Sequence, residues 1–158
     1  ENISGKALRH WMLRAVEAAG FEEGIYIASD RYGMPWMSGG GCLITRDFLR
    51  MGLLFARKGK GVGNRRIGSA SFLDQTVKNV GPKYMNLSEN KYLYYSNSTM
   101  VSGNIIGHSG YGGQFLAVNL KTGNVAAFFS VLETKSATKE SYKVDMINML
   151  IDIVNTKY

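Results

Sequence analysis

The chain has 158 residues, 45% apolar and 20% charged, the balance of an ordinary globular domain long enough to bury a core. No apolar run approaches the ~20 residues that cross a bilayer, so no membrane span is expected in this chain. Its single cysteine, Cys42, excludes an internal disulfide. The net charge of +7 gathers partly in Arg57, Lys58, Lys60, Arg65 and Arg66, but no aromatic residue is interleaved with them. That run reads as a solvated loop, and no nucleic-acid partner is expected.

The first residues carry no basic region followed by an apolar one, so they do not read as a signal peptide. Glu1-Asn2-Ile3 stands almost on a helix cap with no lead-in, as expected of a chain cut from something longer. Ser4 is a suitable N-cap, and Ala7, Leu8, Trp11, Met12, Ala15, Val16 and Ala19 recur at helical spacing. Gly20 should close that helix in the left-handed conformation. His10 falls at an exposed polar position of the same helix. Tyr26-Ile27 is a short strand candidate, and Arg31 to Trp36 reads as a loop.

Thr45 should cap a second helix, with Asp47 in its first turn complementing the helix dipole. Phe48, Met51, Leu54 and Phe55 supply its buried stripe and Gly59 its end. A third helix is expected from Ser71, with Asp74 in the capping-box position, to about Val80, before Gly81-Pro82. Beyond it the pattern turns to β. Tyr92 to Tyr95 is strand-like, as is Ile105-Ile106. Phe115 to Leu120 and Val125 to Leu132 flank the turn Lys121-Thr122-Gly123-Asn124. Both runs are apolar on both faces, so this hairpin should be central in a sheet covered on both sides. Val144, Ile147, Leu150, Ile151 and Val154 define one face of a C-terminal helix.

The most unusual stretch is Gly103 to Gln114, Gly-Asn-Ile-Ile-Gly-His-Ser-Gly-Tyr-Gly-Gly-Gln. Glycine in a strand pattern marks a place where a backbone or ligand comes close. On the residues alone it is either a functional site or a Gly-rich hairpin corner that holds a histidine.

The order of these features resembles the serine β-lactamase and penicillin-binding protein superfamily. More closely it is similar to the branch holding class C β-lactamases, related esterases and 6-aminohexanoate-oligomer hydrolases. The resemblance rests on Ser4-Gly5-Lys6-Ala7-Leu8, Asp30-Arg31-Tyr32-Gly33-Met34, Gly39-Gly40-Gly41, Thr45-Arg46-Asp47, His108-Ser109-Gly110 and the hairpin Gln114 to Ser130. It covers nearly all of this chain but only the C-terminal part of the family domain. It implies an α+β fold, an antiparallel sheet flanked by helices, with residues 1–158 as the C-terminal segment of one domain.

The family's three motifs run in the order Ser-x-x-Lys, Tyr-x-Asn, then Lys-Thr-Gly or His-x-Gly. Literal copies occur at Ser136-Ala137-Thr138-Lys139, Tyr95-Ser96-Asn97 and Lys121-Thr122-Gly123, all in the wrong context. Only His108-Ser109-Gly110 stands where the third motif belongs. The nucleophilic serine, its lysine and the second-motif tyrosine are therefore not expected in this chain, which alone should be inactive.

The resemblance implies ester or amide hydrolysis through an acyl-enzyme, with this chain supplying the strand wall of the site. The backbone N–H of Tyr111 would be an oxyanion-hole donor, a contact typically worth ~3 kcal/mol in the transition state. His108 would stand where β-lactamases often keep a lysine; a mostly neutral imidazole holds a substrate carboxylate less strongly, favouring esters and amides over β-lactams. His108, Ser109, Gly110 and Tyr111 are thus the expected substrate-binding residues. Tyr32, Trp36 and Met34 either line a substrate pocket or fill a core edge. Cys42 lies close to where some relatives place a polar site residue, but it reads more readily as a small buried core residue.

No cofactor is expected, and no His, Cys and carboxylate set has ligand spacing, so no metal either. The substrate would be a small ester, amide or β-lactam-like molecule. The expected partner is the N-terminal part of the same domain or a second copy, and the family setting would be periplasmic or extracytoplasmic. A non-catalytic binding module of the same fold is the other reading.

Overall fold

The computed structural model describes residues 4–37, 39–83, 93–110, 112–131 and 140–157. Helix α1 spans Leu8–Ala19 with Ala7 as its cap, and no side chain bonds its first turn. Ser4 is not the cap: its Oγ accepts from Lys6 N at 3.3 Å and from Trp11 Nε1 at 3.1 Å. Gly20 does close the helix, at φ 74°. Only Ala18 and Ala19 of α1 are buried, and Trp11 is exposed, so the apolar stripe is covered at its C-terminal end alone. His10 is half-buried rather than exposed, with its ring edge-on to Trp11 at 5.4 Å.

Tyr26–Ile27 (β1) and Gly41–Cys42 (β2) form a two-stranded antiparallel ribbon. Because both residues of β2 are exposed, Cys42 stands at the surface instead of in the core. Helix α2 covers Thr45–Ala56, capped by the Ile44 backbone with no side-chain bond, so Thr45 is its first residue and not its cap. The helix ends at Ala56, and Gly59 N–H then bonds back to Leu54 O at 2.9 Å. A Cβ on Gly52 would lie 2.4 Å from Val125 Cγ1, so glycine here lets α2 press directly on the sheet.

Helix α3 runs Ala70–Lys78, one residue earlier than expected at its start, because Ser69 and not Ser71 caps it through Phe72 N. Asp74 therefore misses the capping-box position and instead pairs with Lys58 at 2.8 Å. The basic loop is largely engaged in such contacts: Arg65 meets Glu17 at 3.3 Å, and Arg66 donates to the carbonyls of Lys58 and Gly68.

Five strands form one antiparallel sheet in chain order: β3 Tyr94–Ser96, β4 Thr99–Ser102, β5 Ile105–Ser109, β6 Gln114–Asn119 and β7 Val125–Phe129. The sequence reading missed β4. Its hairpin turns on Asn97 and Ser98, both at positive φ (48° and 59°), the primed turn whose twist suits adjacent strands.

Strand β6 is covered on both sides, as its apolar run requires. Phe115 and Ala117 pack on Ile147, Leu150 and Val154 of α4 (Glu140–Asn155). Leu116 and Val118 pack on the opposite side with Leu73 of α3 and Phe48 of α2. The hairpin is not wholly central, however: β7 is the last strand of the sheet among the described residues.

Asn119 ties the hairpin to the end of α4. Its Oδ1 accepts from Lys121 N and Thr122 N, while its Nδ2 donates to Val154 O at 3.3 Å and Asn155 Oδ1 at 3.0 Å. Lys121-Thr122-Gly123 is thereby a structural turn. Tyr95-Ser96-Asn97 is likewise absorbed by the fold, with Ser96 Oγ donating to Asn79 O at 2.8 Å and Asn97 Nδ2 to Thr76 Oγ1 at 3.0 Å. Ser136 to Lys139 lies outside the described residues.

Candidate functional site

Strand β5 carries the candidate motif at its end. Gly107 pairs with Ala117, His108 with Leu116 and Ser109 with Phe115. Ile105, Ile106 and Gly107 are buried, then His108 is exposed and Ser109 and Gly110 are half-buried, so the strand runs from the core to the surface at the motif. A cleft of about 180 Å³ opens there, lined by Tyr95, Met100, His108 and Ser109. A much smaller void, about 20 Å³, lies between the sheet and α4 among Phe115, Ile147 and Leu150. It is core space with room for about one water, and its lining is mostly apolar.

The turn after the motif is held on several sides. Gly110 N donates to Gln114 O at 2.6 Å and Gly113 N to Gly110 O at 3.4 Å. Gly112 N donates to the side-chain Oε1 of Gln114 at 3.1 Å. A Cβ on Gly110 would sit 2.5 Å from Gln114 Oε1, and one on Gly112 2.8 Å from Gln114 Nε2. The glycines are therefore what lets the Gln114 amide lie across the turn. Tyr111, the expected oxyanion donor, lies outside the described residues.

Two other expected residues do not join this cleft. Tyr32 is 78% and Trp36 56% exposed, and neither lines the space beside His108. Their loop is organised by its own backbone: Asp30 Oδ1 accepts from Tyr32 N and Met34 N, and Trp36 N donates to Ala28 O. With its polar groups satisfied internally, the loop presents both rings, and Met34, to solvent instead of to a core edge.

Sequence reasoning missed how Asp47 is used. Its side chain is fully buried and accepts from Glu22 N at 2.8 Å, Glu23 N at 3.0 Å and Arg50 at 3.0 Å. Burial alone would push its carboxyl up, but the two backbone donors and the Arg50 guanidinium outweigh that and hold it below the usual aspartate range. Arg50 and Arg46 also bond Glu22 and lower its carboxyl in turn. The Asp47-x-x-Arg50 spacing on a helix was the available signal.

Among the described residues no group of three or more His, Cys, Asp or Glu side chains could hold a metal ion. No helix among them is long and apolar enough to cross a membrane.

With helices on both faces of a five-stranded antiparallel sheet, the chain has an α+β arrangement like that of the β-lactamase-like superfamily. The chain is similar to a solved structure named "Putative 6-aminohexanoate-dimer hydrolase from Bacillus anthracis", with a TM-score of 0.73 and 27% identity. That similarity covers 96% of this chain and 39% of the other, so the chain spans well under half of that protein's length. No protein-family model matches the chain, and no curated protein matches it.

Proposed function

We propose that this chain is the sheet-bearing, C-terminal segment of a β-lactamase-like serine hydrolase that cleaves small esters or amides through an acyl-enzyme. The observation that carries the reading is the emergence of His108-Ser109-Gly110 at the open end of β5, beside a cleft. The structural likeness to a protein named as a 6-aminohexanoate-dimer hydrolase supports hydrolase chemistry. In this reading His108 and Ser109 contact substrate, Gly110 lets it approach, and the Tyr111 N–H stabilises the oxyanion. The serine and its base come from a complementary polypeptide, the N-terminal part of the same domain. Strand β7 favours such a partner: it is apolar along Val125–Phe129, packed by α2 and α4, and yet ends the sheet among the described residues.

The test is covalent. The 158-residue chain alone should neither label with a fluorophosphonate nor turn over p-nitrophenyl esters or nitrocefin, and its N-terminal complement should restore both labelling and ester turnover. Turnover by the pure chain, abolished by Ser136→Ala, would show that the rejected motif is the nucleophile. A complemented protein that binds ligand but never labels would make it a binding module.

A further inference from the structure

The turn that follows the His-x-Gly motif is gripped from outside its own strand. Ser130, just past the end of β7, holds the Gly113 carbonyl twice: its N–H donates at 3.0 Å and its Oγ at 2.9 Å. Tyr142, in the first turns of α4, donates its Oη to that same Ser130 Oγ at 3.1 Å. The tyrosine is itself fixed, since its ring meets Phe115 edge-on at 6.4 Å and Phe115 is fully buried. A chain of hydrogen bonds therefore runs from the packed core through Tyr142 and Ser130 to Gly113.

We propose that Ser130 and Tyr142 are positioning residues that fix the backbone at Gly113, just past the His-x-Gly motif at the edge of the site. The proposal rests on the hydrolase reading above for its catalytic consequence, though not for the clamp itself. A turn rich in glycine has many accessible conformations, and something must select one. Gln114 holds it from one side by accepting from Gly112 N, and Ser130 holds the far end through the carbonyl of Gly113. An oxyanion donor carried on such a turn works only if it is aimed in advance, because a misplacement of about 1 Å can cost on the order of a hundredfold in rate. Neither hydroxyl need touch the substrate. Each acts through the backbone it fixes.

The test uses two readouts on Ser130→Ala, Ser130→Thr and Tyr142→Phe. In the 158-residue protein, amide hydrogen exchange over residues 110–113 should accelerate about tenfold in Ser130→Ala and less in Tyr142→Phe. Ser130→Thr, which keeps the hydroxyl, should restore the wild-type rate. In the complemented hydrolase, Ser130→Ala should lower kcat about tenfold or more with KM within about twofold, since the loss falls on the transition state. Unchanged exchange in Ser130→Ala would overturn the clamp, and faster exchange with unchanged kcat would overturn its positioning role. If the wild-type complemented protein shows no turnover at all, the hydrolase reading fails, while the exchange result still decides whether the clamp exists.

Discussion

The sheet and the loop region before α2 are held together by opposite means. In the sheet, Phe115, Val118 and Val101 are fully buried, with α4 on one face and α2 and α3 on the other. Between residues 20 and 44 several large side chains face out, although Phe21 packs beside Ala18, Ala19 and Leu54: Tyr26 is 72%, Tyr32 78% and Met37 58% exposed. What anchors that region is Asp47, a buried carboxylate gripping the backbone of Glu22 and Glu23. One half rests on apolar area, which is non-directional and tolerant. The other rests on a few directed bonds, whose loss leaves donors with no partner.

The sharpest way to break the comparison is to remove area from the first half. Phe115→Ala should destabilise the protein by about 3–5 kcal/mol in urea titration, the range for a buried phenylalanine whose site cannot fully collapse. A loss below about 1 kcal/mol would mean that β6 is not the centre of the core.

Next in size is Asp47→Asn, expected to cost about 2–3 kcal/mol at neutral pH, because the amide cannot accept from three donors as the carboxylate does. Its pH dependence has a definite sign. The folded-state pKa of Asp47 lies below its unfolded value, so its contribution is fully present above about pH 4 and fades as pH falls through the lowered folded value. The stability gap between wild type and Asp47→Asn should therefore narrow on acidification, measured as urea midpoints from neutral to about pH 3. A gap that stays constant would show that the carboxylate charge is not what holds Glu22 and Glu23.

The same contrast explains what the sequence made legible. Helical periodicity located α1, α2 and α4, a cap and stop signal located α3, and continuous apolar runs located β6 and β7, because each of these is a local record of burial or of a chain end. Caps were less legible. Ser4 has the right side chain, but Trp11 Nε1 competes for its hydroxyl, and Ser69 and Ser71 stand 2.8 Å apart with only one of them capping. Cys42 reads as a core residue by type, yet both residues of its strand are exposed. At the site, the glycine density around His108 was visible in the chain, whereas the hold of Ser130 and Tyr142 on Gly113 comes from strand register and helix packing across distant segments. Directed long-range contacts of that kind, like the one Asp47 makes, leave almost no periodic trace.

The smallest effect expected is a gain, at the hairpin between β3 and β4 inside the sheet. Asn97 and Ser98 both adopt positive φ, and Asn97 Nδ2 reaches across to Thr76 Oγ1 of α3 at 3.0 Å. Asparagine tolerates this conformation and serine does so at a cost of about 1–2 kcal/mol, which glycine does not incur. Glycine also adds freedom to the unfolded chain, which offsets about 0.5–1 kcal/mol of that relief. Ser98→Gly should therefore stabilise the protein by about 0.5 kcal/mol, a rise of roughly 1–2 °C in Tm for a chain of this size. Asn97→Gly should do the reverse, since it gives up the bond to Thr76 along with its own side chain. If both substitutions shift the melting point downward by the same amount, then the turn's backbone conformation is not what limits it, and the tie between β3 and α3 carries less than the directed contacts at Asp47.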